Sequence, residues 1–458
     1  MENNGDSKFD FERRLQWIRD LDNSQIDVVI IGGGITGAGI ANILSENGIK
    51  CLLLEKNDFA SGTSSGSTKL VHGGIRYLAN FEIGEVRDLL RERNYLVKNT
   101  DIVKWMNFRI LVDKYSWKKF TLRAGIFVYN ILSGSPRIPR FIKNKGQYGK
   151  DIKGYFNYSD AWTDDTKLVI YNIASAVKHG AICLNYCEAL NITESEDSIS
   201  VKFRDRIMNT EHNVTGKHLI NGAGPWSGLI ENMERDITES RLKLSKGIHI
   251  VVPSQIINSK DSIVFRSHID RRQMFAVPRG EVTIIGTTDR FVESPDDFKI
   301  NSEDIKYIIE SAVRLFPNLR ESDITYAYAG IRPLYGESDE PGSISRGFVI
   351  KTSGRFINVF GGKLTNYRSV SRKVGKIYEK ISGKRIKIKG MPEISYRRPN
   401  LQGKDLYRYE RDYECAIYPD DIIVRREAMP FNYVDCGRSI SSEVRKILDE
   451  KPWIKGTD

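Results

Sequence analysis

The sequence predicts an α/β protein: a nucleotide-binding parallel sheet, discontinuous along the chain, an antiparallel sheet inserted into it, and a short α-helical appendage at the end. Three observations predict it. Residues 26–56 run strand, glycine-rich turn, helix, strand, acid. Residues 218–230 and 355–381 return to the same order of strand, small-residue turn and helix. Between them, residues 244–290 alternate in strand-like runs, GIHIVVP and QMFAVPRGEVTIIGTTDR, without a helical period.

The first unit is the most informative. Residues 28–31 are β-branched and apolar, as a parallel strand buried on both faces must be. GGGITG follows, with Gly32, Gly34 and Gly37 in G-x-G-x-x-G spacing. Gly32 permits the tight turn, Gly34 lets a pyrophosphate approach the backbone, and Gly37 lets the next helix pack close to the strand. That helix, residues 38–47, ends at Gly48 and offers its N-terminal N–H groups and dipole to phosphates. The second strand, residues 51–54, ends in Glu55, placed to accept from ribose hydroxyls. The unit predicts a Rossmann-like dinucleotide site. It leaves FAD and NAD both open and, with an acid at 55, disfavours NADP.

The 458-residue chain has room for two or three domains, and its 40% apolar and 28% charged composition is that of a globular protein. No run reaches the ~18 apolar residues of a membrane span, and MENNGDSKFDFERRL has no apolar signal core, which argues against secretion. The five cysteines are scattered without a CxxC pair and read as reduced intracellular thiols; no metal site is expected. The net charge of +11 suits an anionic membrane, a nucleic acid or an anionic small substrate, and does not choose among them.

The later stretches fill in the organisation. Residues 81–100 form an amphipathic pattern. Residues 116–146 mix aromatic and aliphatic residues with seven Lys or Arg and no acid, the composition of a membrane-surface element. An ordinary packed helix with a basic loop is the competing reading. Pro225 sits at a helix start in HLINGAGPWSGLI. The boundaries fall at 1–23 for an N-terminal extension with a surface helix, FERRLQWIRDL; 24–110, 155–235 and 346–395 for the nucleotide-binding domain; 111–154 for the membrane-surface segment; 236–345 for the antiparallel sheet; and 396–458 for a truncated C-terminal helical region.

Over residues 24–400 the chain resembles the FAD-dependent glycerol-3-phosphate dehydrogenases. GGGITGAGIA, GTSSGSTKLVHGGIRYL, NGAGPW, KGIHIVVP, IIGTTD, AGIRPL, ISR and FGGKLTNYR fall in the family's order. The combination of KLVHGGIRYL with GIRPL and FGGKLT is specific, whereas the first motif is shared by many flavin oxidoreductases. The resemblance implies a Rossmann-like FAD-binding domain with a substrate-binding antiparallel sheet over the flavin. It implies oxidation of sn-glycerol 3-phosphate to dihydroxyacetone phosphate, with electrons passed to a quinone or other acceptor. It also implies a cytoplasmic enzyme with peripheral contact at the inner membrane face, and leaves a homodimer open.

The resemblance carries site residues onto this sequence. The cofactor set is Gly32, Gly34, Ile35, Thr36 and Gly37 in the first turn, then Glu55 and Lys56. It continues with Thr63, Ser64, Ser67, Lys69, His72, Gly73 and Gly74 in the second motif, which is read as wrapping the pyrophosphate and flavin. Gly222, Ala223, Gly224 and Trp226 follow in the third, then Arg332, Gly362, Lys363, Leu364 and Thr365.

Alcohol oxidation needs a base for the C2 hydroxyl, a cation near the developing alkoxide, and a positive charge beside the ring that takes the hydride. His249, on a strand, is the best base among six histidines. Arg332 is placed to polarise the C2 oxygen, and Lys363 to meet the negative charge that reduction creates. Substrate contacts fall on His249 and Arg332, with Arg76, Tyr77 and Arg346 for the phosphate. Asp289 is equally suited to holding a loop and is left out of the catalytic set. The alternatives are an oxidase that passes electrons to O₂, an amine or amino-acid oxidase, which would need a carboxylate site, and, remotely, an RNA-acting flavoprotein. No RNA-binding module is visible, so no nucleic acid is expected.

Overall fold

The computed structural model describes residues 8–21, 24–113, 119–234, 242–336, 347–383, 388 and 390–451. The first sheet contains β1 (Ile26–Ile31), β2 (Cys51–Leu54), β7 (Ile182–Leu184), β8 (Cys187–Glu194), β9 (Ile199–Asp205), β10 (Thr210–Asn221), β17 (Phe348–Ser353) and β18 (Phe356–Gly361). Its order is β17-β18-β10-β1-β2-β7. The five strands from β18 to β7 are parallel, β17 is an antiparallel edge, and the β8–β9 hairpin pairs antiparallel with β10.

Burial explains the apolar runs. All of β1 and β2 is buried, because both faces of the sheet are covered. Val28, Ile30 and Leu53 pack with helices α2 (Ile35–Glu46), α5 (Asp165–Lys178) and α9 (Tyr367–Ile381). Val29, Leu52 and Leu54 pack on the other side with Val201 and Phe203 of β9 and with Ile18 of α1 (Phe11–Asp20). The N-terminal helix is therefore not a plain surface helix. Asp10 caps it by accepting from the Arg13 amide at 3.0 Å, and its buried Arg14 forks onto Asp205 at 2.8 Å.

The second sheet corrects the boundaries read from sequence. It contains β3 (Leu70–Val71), β4 (Val103–Asp113), β5 (Phe141–Lys143), β6 (Ile152–Thr163), β11 (Leu242–Pro253), β12 (Ser262–Arg266), β13 (Gln273–Arg279), β14 (Val282–Gly286), β15 (Arg290–Val292) and β16 (Tyr326–Tyr335). Its order is β15-β11-β14-β13-β12-β4-β6-β3, with β16 on β11 and β5 on β6. The parallel sheet is thus interrupted twice, after β2 and after β10. Residues 70–71, 103–110 and 155–163, read as nucleotide-binding domain, supply strands to this second sheet, which is antiparallel except where β4 pairs parallel with β12. The 111–154 segment supplies the end of β4, α4 (Lys119–Leu132), β5 and the start of β6. β4 has no clean alternation of burial, so its sequence carries no period-2 signal. Its pairing with β6 spans distant residues, such as Phe108 with Tyr158.

Helices α3 (Ile83–Asn99), α6 (Ser227–Glu234), α7 (Ser254–Ile257) and α8 (Ser302–Val313) complete the two layers. The C-terminal region, with α10 (Gly403–Tyr413) and α11 (Ser441–Asp449), has a core of its own around Leu406, Ile422 and Val444. It is bolted to the nucleotide-binding side by ions. Buried Asp58 accepts from Arg425 at 2.7 Å and from Arg426 at 3.0 Å; within the region itself, Arg398 pairs with Glu414 at 2.6 Å and Glu410 at 2.9 Å. Among the described residues, no helix is long and apolar enough to cross a membrane, and no group of three or more His, Cys, Asp or Glu could hold a metal ion.

Candidate active site

The glycine-rich turn between β1 and α2 is built for close contact. Gly32 has φ +107°, and a Cβ there would lie 2.7 Å from the Gly222 carbonyl oxygen. A Cβ on Gly37 would lie 1.9 Å from the Gly32 oxygen. Gly37 therefore lies beneath the turn and sets its shape, rather than lining the cleft. Glu55 accepts from the Gly33 amide at 2.7 Å and the Asn57 amide at 2.9 Å. Burial pushes its carboxyl above the usual range, and the two amides oppose that shift.

From this turn runs a cavity of about 300 Å³, lined by Gly34, Ile35, Thr36, Glu55, Ser64 and Trp226 among others. Gly222, Ala223 and Gly224 line it from the end of β10. Lys56 stacks over the Trp226 ring at 4.2 Å and pairs with Asp296 at 3.1 Å, while the indole N–H donates to Asp296 at 2.9 Å. These three side chains form one wall. A second cavity of about 480 Å³ adjoins it. The two share Thr63, Ser67, Pro333, Gly362, Lys363 and Leu364, so they form one elongated cleft.

The serine- and glycine-rich loop at 61–78 divides and connects the cavities. It is tied down along its length. The Thr63 hydroxyl donates to the Ile331 carbonyl. The Gly66 and Gly330 backbones touch; a Cβ on Gly66 would lie 2.6 Å from Gly330 Cα. Ser67 donates to Asp165 at 2.6 Å, and its carbonyl accepts from Tyr328 at 2.9 Å. The Gly73 amide donates to Tyr129 at 3.0 Å, the His72 amide to Thr365 at 3.1 Å. This is the bonding pattern of a fitted surface, not of a linker.

Besides Gly37, two more expected cofactor contacts lie off the cleft. Lys69 does not line the cleft; its ammonium is fully buried, 2.6 Å from Asp165 and 3.8 Å above the Phe431 ring. Its remaining hydrogen bond goes to the Ser65 carbonyl at 3.1 Å, so the buried charge is held by protein groups and not by a ligand. Gly73 is also behind the cleft, where a Cβ would run 2.3 Å from Leu90; its neighbours His72 and Gly74 line the cavity instead. Arg346 lies outside the described residues.

The larger cavity gathers His249, Arg332, Lys363, Arg76, Tyr77 and Thr365. His249 stands on β11, its ring stacked on Tyr328 at 4.8 Å. Its Nε2 is 2.9 Å from Thr68 Oγ1, and its buried Nδ1 has no partner among the described residues. Burial, with Arg332 and Lys69 nearby, holds the imidazole well below its ordinary value, so it is neutral at pH 7. Arg332, on β16, donates to Asp289 at 3.0 Å and to Thr287 Oγ1 at 2.9 Å. Lys363 pairs with Glu85 of α3 and lies 4.1 Å over the Tyr77 ring. It precedes the short turn 364–366 that leads into α9, with its amide capped by Asn366 at 2.9 Å. Exposed Arg76 rests 5.1 Å from the Tyr77 ring.

Sequence reasoning passed over Thr68, Glu85, Arg271 and Arg272. Thr68 lay inside the recognised motif, one residue from Ser67, and its motif was its only signal. Arg271 and Arg272 are two among seventy basic residues and carried none.

The cleft fits an extended dinucleotide. One end offers the helix N-terminus and Glu55. At the other, a Cβ on Gly362 would meet nothing within 4 Å, leaving bare backbone for a flat ring. A parallel sheet with this turn, joined to an antiparallel sheet bearing a buried histidine and arginines, defines a dinucleotide-dependent oxidoreductase. Residues 27–364 match the profile of the FAD dependent oxidoreductases. The aerobic glycerol-3-phosphate dehydrogenase of Staphylococcus saprophyticus is 35% identical over 387 residues, 80% of this chain and 69% of that protein. That of Staphylococcus aureus is 34% identical over 380 residues, 79% and 68%. The glycerol-3-phosphate dehydrogenase of Bacillus halodurans, solved with FAD, superposes with a TM-score of 0.76 at 25% identity, covering 98% of this chain and 95% of that one. The L-alpha-glycerophosphate oxidase of Mycoplasma pneumoniae, with FAD bound, shares the fold at TM-score 0.66 and 16% identity, over 82% of this chain and 100% of that one. The chain belongs to the FAD dependent oxidoreductase family and, within it, to the glycerol-3-phosphate dehydrogenases; FAD is its cofactor.

Proposed function

We propose that the enzyme oxidises sn-glycerol 3-phosphate to dihydroxyacetone phosphate and passes the electrons to a quinone-type acceptor. The observation that carries this is the meeting of a buried, neutral His249 with Arg332 and Arg76 in a cavity that adjoins the dinucleotide cleft through Lys363. Bound FAD supplies a hydride acceptor. The backbone of residues 32–37 and 222–224, with Glu55, Thr63, Ser64 and Trp226, holds its nucleotide half; Gly362, Lys363, Leu364 and Thr365 hold the ring end. His249 takes the proton of the C2 hydroxyl, since its lowered basicity keeps the ring unprotonated at neutral pH. Arg332 holds the C2 oxygen and stabilises negative charge as that proton leaves. Lys363 places a positive charge beside the ring site, and Arg76 with Tyr77 takes the substrate's phosphate end. Arg346 joins this phosphate set on its motif.

Anaerobic mixing of the FAD-loaded enzyme with glycerol 3-phosphate should bleach the flavin, whereas glycerol, glycine and 2-hydroxy acids should not. Bleaching by glycine alone would replace this reading with amine oxidation. Reoxidation by a quinone faster than by O₂ supports the dehydrogenase over the oxidase.

Exposed Phe120, Val128 and Ile131 on α4, with Ile138 and the surrounding basic residues, favour peripheral contact with an anionic membrane. Co-sedimentation with anionic vesicles at low salt, absent with neutral vesicles, tests it.

A further inference from the structure

Asp289, the acid that closes GTTD, joins two arginines from different elements. Its Oδ1 accepts from Arg332 at 3.0 Å and its Oδ2 from Arg272 at 3.0 Å. Ser245 of β11 donates to the same carboxylate from behind. Asp289 is 1% exposed, while Arg332 and Arg272 are 21% and 27% exposed. The anion is thus the buried hinge, and the two cations stand in front of it. Both guanidiniums line the cavity that contains His249.

The charges around that cavity are unequal in their neutralisation. Lys363 has Glu85 as its partner, and Arg271 has Asp113 at 2.8 Å. Arg332 and Arg272 share one full carboxylate. The carboxylate of Asp270 reaches Arg272 only at 3.4 Å, through Nε. A guanidinium carries five N–H donors, so these contacts leave part of each fork for a ligand. A phosphate dianion is best held by two such forks at fixed separation.

We propose that Arg272 is a substrate-phosphate ligand, and that Asp289 is the positioning residue that sets its spacing from Arg332. The inference rests on the glycerol-phosphate reading and adds to it. Arg332, Asp289 and Arg272 form one face of the substrate site, with Arg76 from the loop at 61–78 lining the same cavity. A single carboxylate couples recognition of the phosphate to orientation of the guanidinium at the C2 oxygen. An amide at 289 could accept from one arginine but would present N–H to the other. Arg272 thereby selects phosphorylated over neutral polyols.

The test uses FAD-loaded wild type, Arg272→Gln, Arg272→Lys and Asp289→Asn. Flavin content and melting temperature are measured first. Anaerobic bleaching by glycerol 3-phosphate then gives a half-saturating concentration and a limiting rate, and inorganic phosphate serves as competitor and as a probe of the flavin spectrum. Arg272→Gln should retain FAD and raise the half-saturating concentration about 10- to 100-fold, more than it lowers the limiting rate. It should weaken phosphate competition in parallel. Arg272→Lys should recover part of the loss. Asp289→Asn should lower both the limiting rate and the affinity. Unchanged affinity for glycerol 3-phosphate and phosphate in Arg272→Gln would overturn the proposal, as would loss of FAD without a change in affinity. Failure of glycerol 3-phosphate to bleach the wild type is a different result. It removes the parent reading, while the phosphate-induced spectral change in wild type against Arg272→Gln still decides whether Arg272 binds phosphate.

Discussion

Thr68 Oγ1 and His249 Nε2 lie 2.9 Å apart, so the loop at 61–78 and the second sheet meet at the imidazole. The contact orients the ring, which is also stacked on Tyr328, and leaves rotation little freedom. On the proposed role of His249 as base, removing the ring should cost the function, and changing Thr68 should cost its alignment.

His249→Gln should slow anaerobic flavin reduction by about 10²- to 10⁴-fold, the range for losing a general base. Thr68→Val should cause a smaller loss. Burial lowers the imidazole below its ordinary 6.5, so the wild-type limiting rate should fall on the acid side only below that pH. Since substrate phosphate titrates in both enzymes, the diagnostic quantity is the ratio of the two profiles. It should be flat above pH 6.5 and decline toward one at lower pH.

Gly37→Ala should abolish FAD retention, read as visible absorbance per protein. The added Cβ would overlap the Gly32 oxygen at 1.9 Å and push the turn into the cleft. Gly84→Ala is the control. A Cβ there meets nothing within 4 Å, and alanine in a helix is worth about 0.8–1.0 kcal/mol over glycine. That variant should keep FAD and melt no lower than wild type.

Lys69→Ala should behave as a stability variant. It leaves Asp165 buried without its cation, at a cost of about 3–5 kcal/mol. Denaturant unfolding should show this in the FAD-free protein as well, which separates it from loss of a cofactor contact.

Asp58→Ala should loosen the C-terminal region by removing the carboxylate that Arg425 and Arg426 share across to the nucleotide-binding side. Limited proteolysis after residue 400 should accelerate. Burial raises the Asp58 carboxyl, but Arg426 and Arg425 outweigh this and bring it below 3.8. The unfolded chain therefore binds this proton first. The stabilisation is present above about pH 3.8 and is lost as pH falls through the lower folded value. Wild type should therefore be more stable than Asp58→Asn above that pH, and the difference should shrink as pH falls below it.

Much of the cofactor side was legible because its signals are local. The turn at 32–37 needs particular residues at particular spacings, and β1 and β2 need unbroken apolar runs because both their faces are covered. Glu55 and the Gly361–Gly362 turn could be found in the same way. The second sheet was only half legible. β11, β13 and β14 lie in one continuous stretch, whereas β4 and β6 join the same sheet from upstream, with strands β7 to β10 of the other sheet in between.

Side-chain direction was the other thing that sequence could not supply. Lys69 and Thr68 are adjacent in the same motif, yet one turns into a buried ion pair and the other toward His249. Lys69 has φ +58°, and that backbone twist separates them. By itself the sequence determined the nucleotide-binding unit, the family and the set of chemically suited residues, because glycine spacing and apolar runs answer to local sterics and burial. Only the tertiary structure decided which cations face the cavity and which are already neutralised. Asp289, Glu85, Asp113 and Asp165 each choose a partner across elements, and Coulomb attraction in a low-dielectric interior acts on distance in space, not on separation along the chain.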